Sequence, residues 1–165
     1  SGLYHSIANN GVMMLITHGG YYAGARFVMN SKHVTTGGVE QKEHKTFHKY
    51  VVRKKQGKRQ VNQDKSKRAK SVGSEMRRLN EKHFKDQLQE HLLEWTDLFR
   101  DGDTIVFTHA PGHYNRTLLY KIPDAESPVR PSSCFTIPFA TGSQPNNTQV
   151  QQAAQKLLQI QVELD

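Results

Sequence analysis

The chain has 165 residues with a formal net charge of +8, 35% apolar and 23% charged side chains. That length suits one domain with a real core, and the composition is polar without being that of a wholly disordered chain. One cysteine, Cys134, excludes a disulfide framework and any multi-cysteine zinc site. No stretch approaches the roughly 18–20 apolar residues that span a bilayer, so no membrane insertion is expected.

The chain opens Ser1-Gly2-Leu3 without an initiator Met, which reads as a single domain, 1–165, excised from a longer protein. Val12 to Ile16 is an apolar run, Gly19-Gly20 a two-residue turn, and Tyr21 to Met29 an aromatic and β-branched continuation. Together they predict a β-hairpin. Ser31 to Glu40 is turn-like, and alternation over His44 to Arg53 predicts a third strand. Gln56 to Gly73 has almost nothing to bury and predicts a long mobile loop.

From Ser74 the pattern turns helical. Met76, Leu79, Phe84, Leu88, Leu92, Trp95 and Phe99 mark an apolar stripe, with a second start at Asn80 and an end at Asp101-Gly102-Asp103. A strand over Thr104–Thr108, a short helix over Gly112–Tyr120, a strand over Cys134–Phe139 and a final helix over Asn147–Leu164 follow. The order implies an α/β fold, a mixed β-sheet with helices packed on it.

The charge is concentrated. Between Lys42 and Lys70 stand twelve Lys and Arg against Glu43 and Asp64, a local +10 that leaves −2 for the rest. Such a block is the electrostatic footprint of a polyanion partner, nucleic acid first; a solvated or targeting run is the plainer alternative. A membrane surface fits less well, because the block lacks an apolar face.

Within this block, His44-Lys-Thr-Phe-His48-Lys-Tyr50-Val-Val-Arg53 runs through Gly57-Lys-Arg-Gln60 to Gly73-Ser74-Glu-Met-Arg77-Arg78. The succession resembles the release-factor-like domain of the ankyrin-repeat and zinc-finger peptidyl-tRNA hydrolases, partners of valosin-containing protein in ribosome-associated quality control. The likeness is close over about His44 to Asn80 and looser at Tyr22–Ala25 and Pro111–Arg116. It implies a fold similar to the middle domain of eukaryotic release factors. It also implies a cytoplasmic enzyme that acts on peptidyl-tRNA at the large ribosomal subunit, cutting the tRNA acceptor end and leaving the CCA on the peptide. The valosin-containing AAA ATPase would bind through regions absent from this chain. Gln60 carries over as the catalytic glutamine and Gly57 as the loop glycine, while Lys58 and Arg59 stand where the family usually has small residues.

The chemistry of these residue types agrees. A glutamine amide offers an acceptor and two donors but no base, so Gln60 would position and stabilise charge. Arg53, Lys54, Lys55, Lys58, Arg59, Arg77 and Arg78 are candidate phosphate contacts. If RNA itself is cut, the 2′-hydroxyl is the natural nucleophile and His48 a candidate to take its proton; a structural role for a strand histidine is the commoner outcome. His44 and His48 on a strand sit about 13 Å apart, which argues against a zinc pair. Neither a metal nor a cofactor is indicated. His109-Ala-Pro-Gly-His113 follows a strand, where α/β folds often place a site, although the proline and glycine equally serve a turn. Three classes stay open: a peptidyl-tRNA-releasing enzyme that cuts phosphodiester or ester, a silent tRNA- or ribosome-binding domain, and an interaction module with a targeting signal.

Overall fold

Residues 12–16 are apolar without alternation, which suits a strand covered on both faces. The computed structural model describes residues 11–29, 38–51, 72–100 and 104–164, with side chains up to 158, and it puts that run at the centre of the sheet. β1 (Val12–His18) and β2 (Tyr21–Met29) form the expected hairpin through Gly19-Gly20. β3 (Val39–His48) pairs antiparallel with β2. β4 (Ile105–His109) and β5 (Cys134–Thr136) add parallel strands on the other side, giving the order β3-β2-β1-β4-β5.

The helices are α1 (Val72–Glu94), α2 (Thr96–Arg100), α3 (Gly112–Tyr120) and α4 (Asn147–Leu164). Val150, Ala153, Ala154, Leu157 and Leu158 form a stripe at helical spacing that packs α4 on Val12, Met14, Ile16, Ala23, Ala25 and Phe27. The opposite face carries Met13, Leu15 and Tyr22 against Phe84, Leu88 and Leu92 of α1 and Leu118 and Leu119 of α3. The result is the expected mixed sheet between helical layers.

Several boundaries differ from expectation. β3 begins at Val39, inside the stretch expected to turn, and ends at His48 rather than Arg53. It stops there because β2 begins at Tyr21, the partner of His48, so no ladder remains; the Lys49 amide turns to the Gly20 carbonyl at 2.9 Å. A bulge sits within the pairing: Ala25 faces His44 and Phe27 faces Gln41, leaving Arg26 opposite Lys42 and Glu43. Arg26 closes it with a bidentate bond to Glu43 (2.6 and 3.1 Å), which holds that carboxyl below its ordinary range.

α1 starts at Val72, two residues before the expected Ser74, and runs unbroken through Asn80. Asn80 caps nothing; its Nδ2 donates to the Tyr50 carbonyl at 2.9 Å. The helix is interrupted at Trp95 instead, and Thr96 Oγ1 donates to the Leu93 carbonyl there. β4 lies one residue later than expected, and β5 ends at Thr136, after which the Ile137 amide bonds the Thr108 carbonyl. The loop expected over 56–73 lies outside the described residues as far as 71, as does the helix end at Asp101-Gly102-Asp103.

Candidate nucleic-acid interface

β1, β3, β4 and β5 all point the same way: β1 is parallel to β4 and β4 to β5, and β3 is antiparallel to β2, which is antiparallel to β1. Their carboxyl ends share one edge, the place where open α/β sheets receive ligands. The basic block leaves the sheet from this edge at the end of β3.

Two contacts fix that exit. Gly20, at φ +81°, lies so close to Lys49 and Val51 that a Cβ would meet the Lys49 carbonyl and the Val51 side chain at 2.4 Å. Only glycine combines that backbone with that approach. On the other side, the Asn80 bond ties α1 to the Tyr50 carbonyl. The segment 52–71 is therefore bracketed by two anchored points.

His48, the last residue of β3, is exposed and stacks on Tyr21, ring centroids 5.0 Å apart and planes within 10°. His44 is exposed on the same strand. His18 follows Tyr21 in register, with Nδ1 3.2 Å from the Ser143 carbonyl oxygen. His109, paired to the level of Ile16, falls on the same face of the sheet. The His109 imidazole is held below its ordinary range by burial and by the neighbouring His18. Stacked rings and imidazoles thus line the edge.

Arg77 and Arg78 lie in the second turn of α1. Arg77 is half-buried with its guanidinium 3.4 Å from Ser74 Oγ, while Arg78 is exposed, as adjacent helical positions pointing apart require. Met76 and Leu79, expected to face the core, are exposed, with Val72 at 78%. Burial begins only at Phe84, so the first turns of α1 overhang the sheet. Arg53, Lys54, Lys55, Gly57, Lys58, Arg59 and Gln60 lie outside the described residues. Among the described residues no cluster of three or more His, Cys, Asp or Glu is placed to hold a metal, and no helix is long and apolar enough to cross a membrane.

Sequence reasoning missed a buried pair beneath this edge. Tyr22 Oη lies 2.8 Å from His91 Nε2, both inside the core among Phe47, Phe84 and Trp95. Burial raises the Tyr22 phenol, and burial with the Lys45 charge pushes His91 down to about 4. The signal was present: His91 falls between Leu88 and Trp95 on the apolar stripe. Gly24 makes the room, since a Cβ there would come within 2.1 Å of Tyr22 Oη. Cys134, half-buried in β5, has a thiol pushed up to about 11, which keeps it inert as a nucleophile.

The α/β sheet, with a long basic segment between its third strand and first long helix, falls within a release-factor class by the family model that matches it. The fold matches a solved structure titled "Vms1 mitochondrial localization core" with a TM-score of 0.59 at 16% identity, covering 89% of this chain and 54% of that one. A family model described as "Bacteroidetes VLRF1 release factor" matches residues 12–165, and the chain belongs to that family.

Its relatives include the "tRNA endonuclease vms-1" of Caenorhabditis elegans, 30% identical over 149 residues that make up 89% of this chain and 22% of the relative. The mouse "tRNA endonuclease ANKZF1" is 30% identical over 166 residues, 97% of this chain and 21% of the relative. The Saccharomyces cerevisiae "tRNA endonuclease VMS1" is 34% identical over 105 residues, 56% and 16% respectively. The chain thus spans about a fifth of the length of these relatives.

Proposed function

We propose that this domain frees stalled nascent chains from peptidyl-tRNA on the large ribosomal subunit by cutting the tRNA at its 3′ acceptor (CCA) end. The observation that carries the reading is the origin of the Gly57–Gln60 stretch. It belongs to a +10 segment issuing from the carboxyl edge of the sheet in a family whose relatives are named tRNA endonucleases. Gln60 orients the attacking oxygen and stabilises the charge that develops, and Gly57 lets the backbone come close. Arg53, Lys54, Lys55, Lys58, Arg59, Arg77 and Arg78 grip phosphates. His48, its ring aligned by Tyr21, takes the proton of the 2′-hydroxyl. That oxygen bonds the adjacent phosphorus as a cyclic phosphate while the bond from that phosphorus to the next 5′-oxygen breaks, and the departing oxygen takes a proton from water. The domain works in the cytoplasm, needs neither metal nor cofactor, and meets the valosin-containing ATPase through regions outside this chain.

The test uses large subunits loaded with peptidyl-tRNA. Gln60→Ala binds them and fails to release, while the parent yields tRNA shortened by its CCA. Release by the variant at the parental rate overturns the assignment of Gln60. Freed tRNA with an intact terminus replaces phosphodiester cleavage by ester hydrolysis.

A further inference from the structure

Beyond His18, the strand-end edge opens into a crevice of about 230 Å³ between the ends of β4 and β5 and the start of α3. Thr108, His109, Pro111, Arg116, Tyr120 and Thr136 form its walls. That volume is below the roughly 300 Å³ at which sites for drug-sized molecules begin, so the occupant is a small group rather than a whole nucleotide.

The wall chemistry selects its charge. Among the described residues that line it, none is a carboxylate. The Arg116 guanidinium is exposed and forms no ion pair with any described residue, whereas Arg26 and Arg130 are each held by a glutamate. A guanidinium fork presents paired donors that match two oxygens of one phosphate. His109 adds a ring N–H, and the Thr136 and Tyr120 hydroxyls add further donors. Among the described lining residues Arg116 supplies a full positive charge, which complements the negative charge of a phosphodiester.

The frame is rigid. Thr108 Oγ1 and Tyr120 Oη lie 3.1 Å apart across the floor, the Ile137 amide joins β5 to the Thr108 carbonyl at 2.9 Å, and Asn115 Nδ2 holds the Pro111 carbonyl at 2.6 Å. None of these bonds uses the Arg116 side chain.

We propose that this crevice seats one backbone phosphate of the RNA substrate, with Arg116 as its cation. The inference rests on the reading that the chain acts on RNA, and it adds a second anchor on the sheet edge from which the basic segment issues. Arg116 is then a positioning residue that fixes the RNA at a set distance from the reacting end.

Binding of a single-stranded RNA ending in CCA is measured against salt concentration for the parent, Arg116→Ala, Arg116→Lys and Arg130→Ala. Arg130 pairs with Glu126 and lies away from this crevice, so its variant serves as the control. Losing one phosphate contact weakens Arg116→Ala about tenfold and lowers the log–log salt slope by about 0.7. Arg116→Lys keeps the slope and recovers part of the affinity, and Arg130→Ala matches the parent. In parallel, inorganic phosphate shifts the His109 and Thr136 resonances of the parent and leaves those of Arg116→Ala in place. An Arg116→Ala protein with parental affinity and slope, in a parent that binds RNA, overturns the crevice assignment alone. A parent that neither binds nor cuts RNA overturns the reading of function beneath it.

Discussion

His91 is the residue on which burial and chemistry conflict most directly. Its ring is enclosed by Tyr22, Phe47 and Trp95, and the one hydrogen bond it makes is to Tyr22. Burial and Lys45 take it from the ordinary imidazole value of 6.5 to about 4, so the folded state keeps it neutral where the unfolded chain takes up a proton. Stability from this group is complete above pH 6.5 and is lost as pH falls from there toward 4. Down to pH 5 the loss is on the order of 2 kcal/mol. Denaturant unfolding at pH 7.5 and pH 5 measures it. His109 is shifted in the same direction, so the comparison that isolates His91 is with His91→Leu, which shows a smaller drop. Equal drops in the two proteins would show that the pair does not govern the acid sensitivity. A histidine inside an apolar helical stripe was legible as core; its tyrosine partner, 69 positions away, was not, because sequence spacing carries no information about contacts across the sheet.

Among the elements, those with an unambiguous period were readable. The β1–β2 hairpin, α3 and α4 stand where an unbroken apolar run, paired glycines and helical patterning put them. β3 was displaced because its bulge changes which residues face which side, and because its end is set by where β2 begins. α1 was misread at its start because Met76 and Leu79 fit a helical stripe whether or not the sheet reaches far enough to cover them. The Asn80–Tyr50 bond now explains how this overhanging helix is joined to the exit of β3. Asn80→Ala loses an exposed bond worth about 1 kcal/mol and gains roughly half of that in helix propensity, so global stability changes by under about 1 kcal/mol. The local effect is larger. The Lys49 amide, bonded to the Gly20 carbonyl, exchanges several-fold faster with solvent, as hydrogen-exchange measurements would register. Unchanged protection at Lys49 would mean that the β1–β2 turn alone holds the exit.

At the scale of the whole molecule the charge is segregated: a body of −2 carries a segment of +10 between Lys42 and Lys70. The sequence displayed this fully, since charge requires no fold to be counted, and the topology adds its direction by bringing the end of β3 to the same edge as His18 and His109. The placement of Gln60 relative to that edge was not legible from composition and lies outside the described residues. What the two residues before it do is decided by salt. If Lys58 and Arg59 grip phosphates, each releases counterions on binding single-stranded RNA, at about 0.7 of a slope unit apiece. Lys58→Ala with Arg59→Ala then lowers the log–log salt slope by about 1.4 and weakens binding most at low salt, where screening is least. Small residues at both positions also restore the pattern usual in the resembled family, so the cutting rate of bound substrate is maintained or rises while affinity falls. Single-turnover cleavage at saturating RNA separates the two quantities. A double variant with the parental salt slope would place both cations off the phosphates and assign the RNA contacts of the segment to Arg53, Lys54 and Lys55.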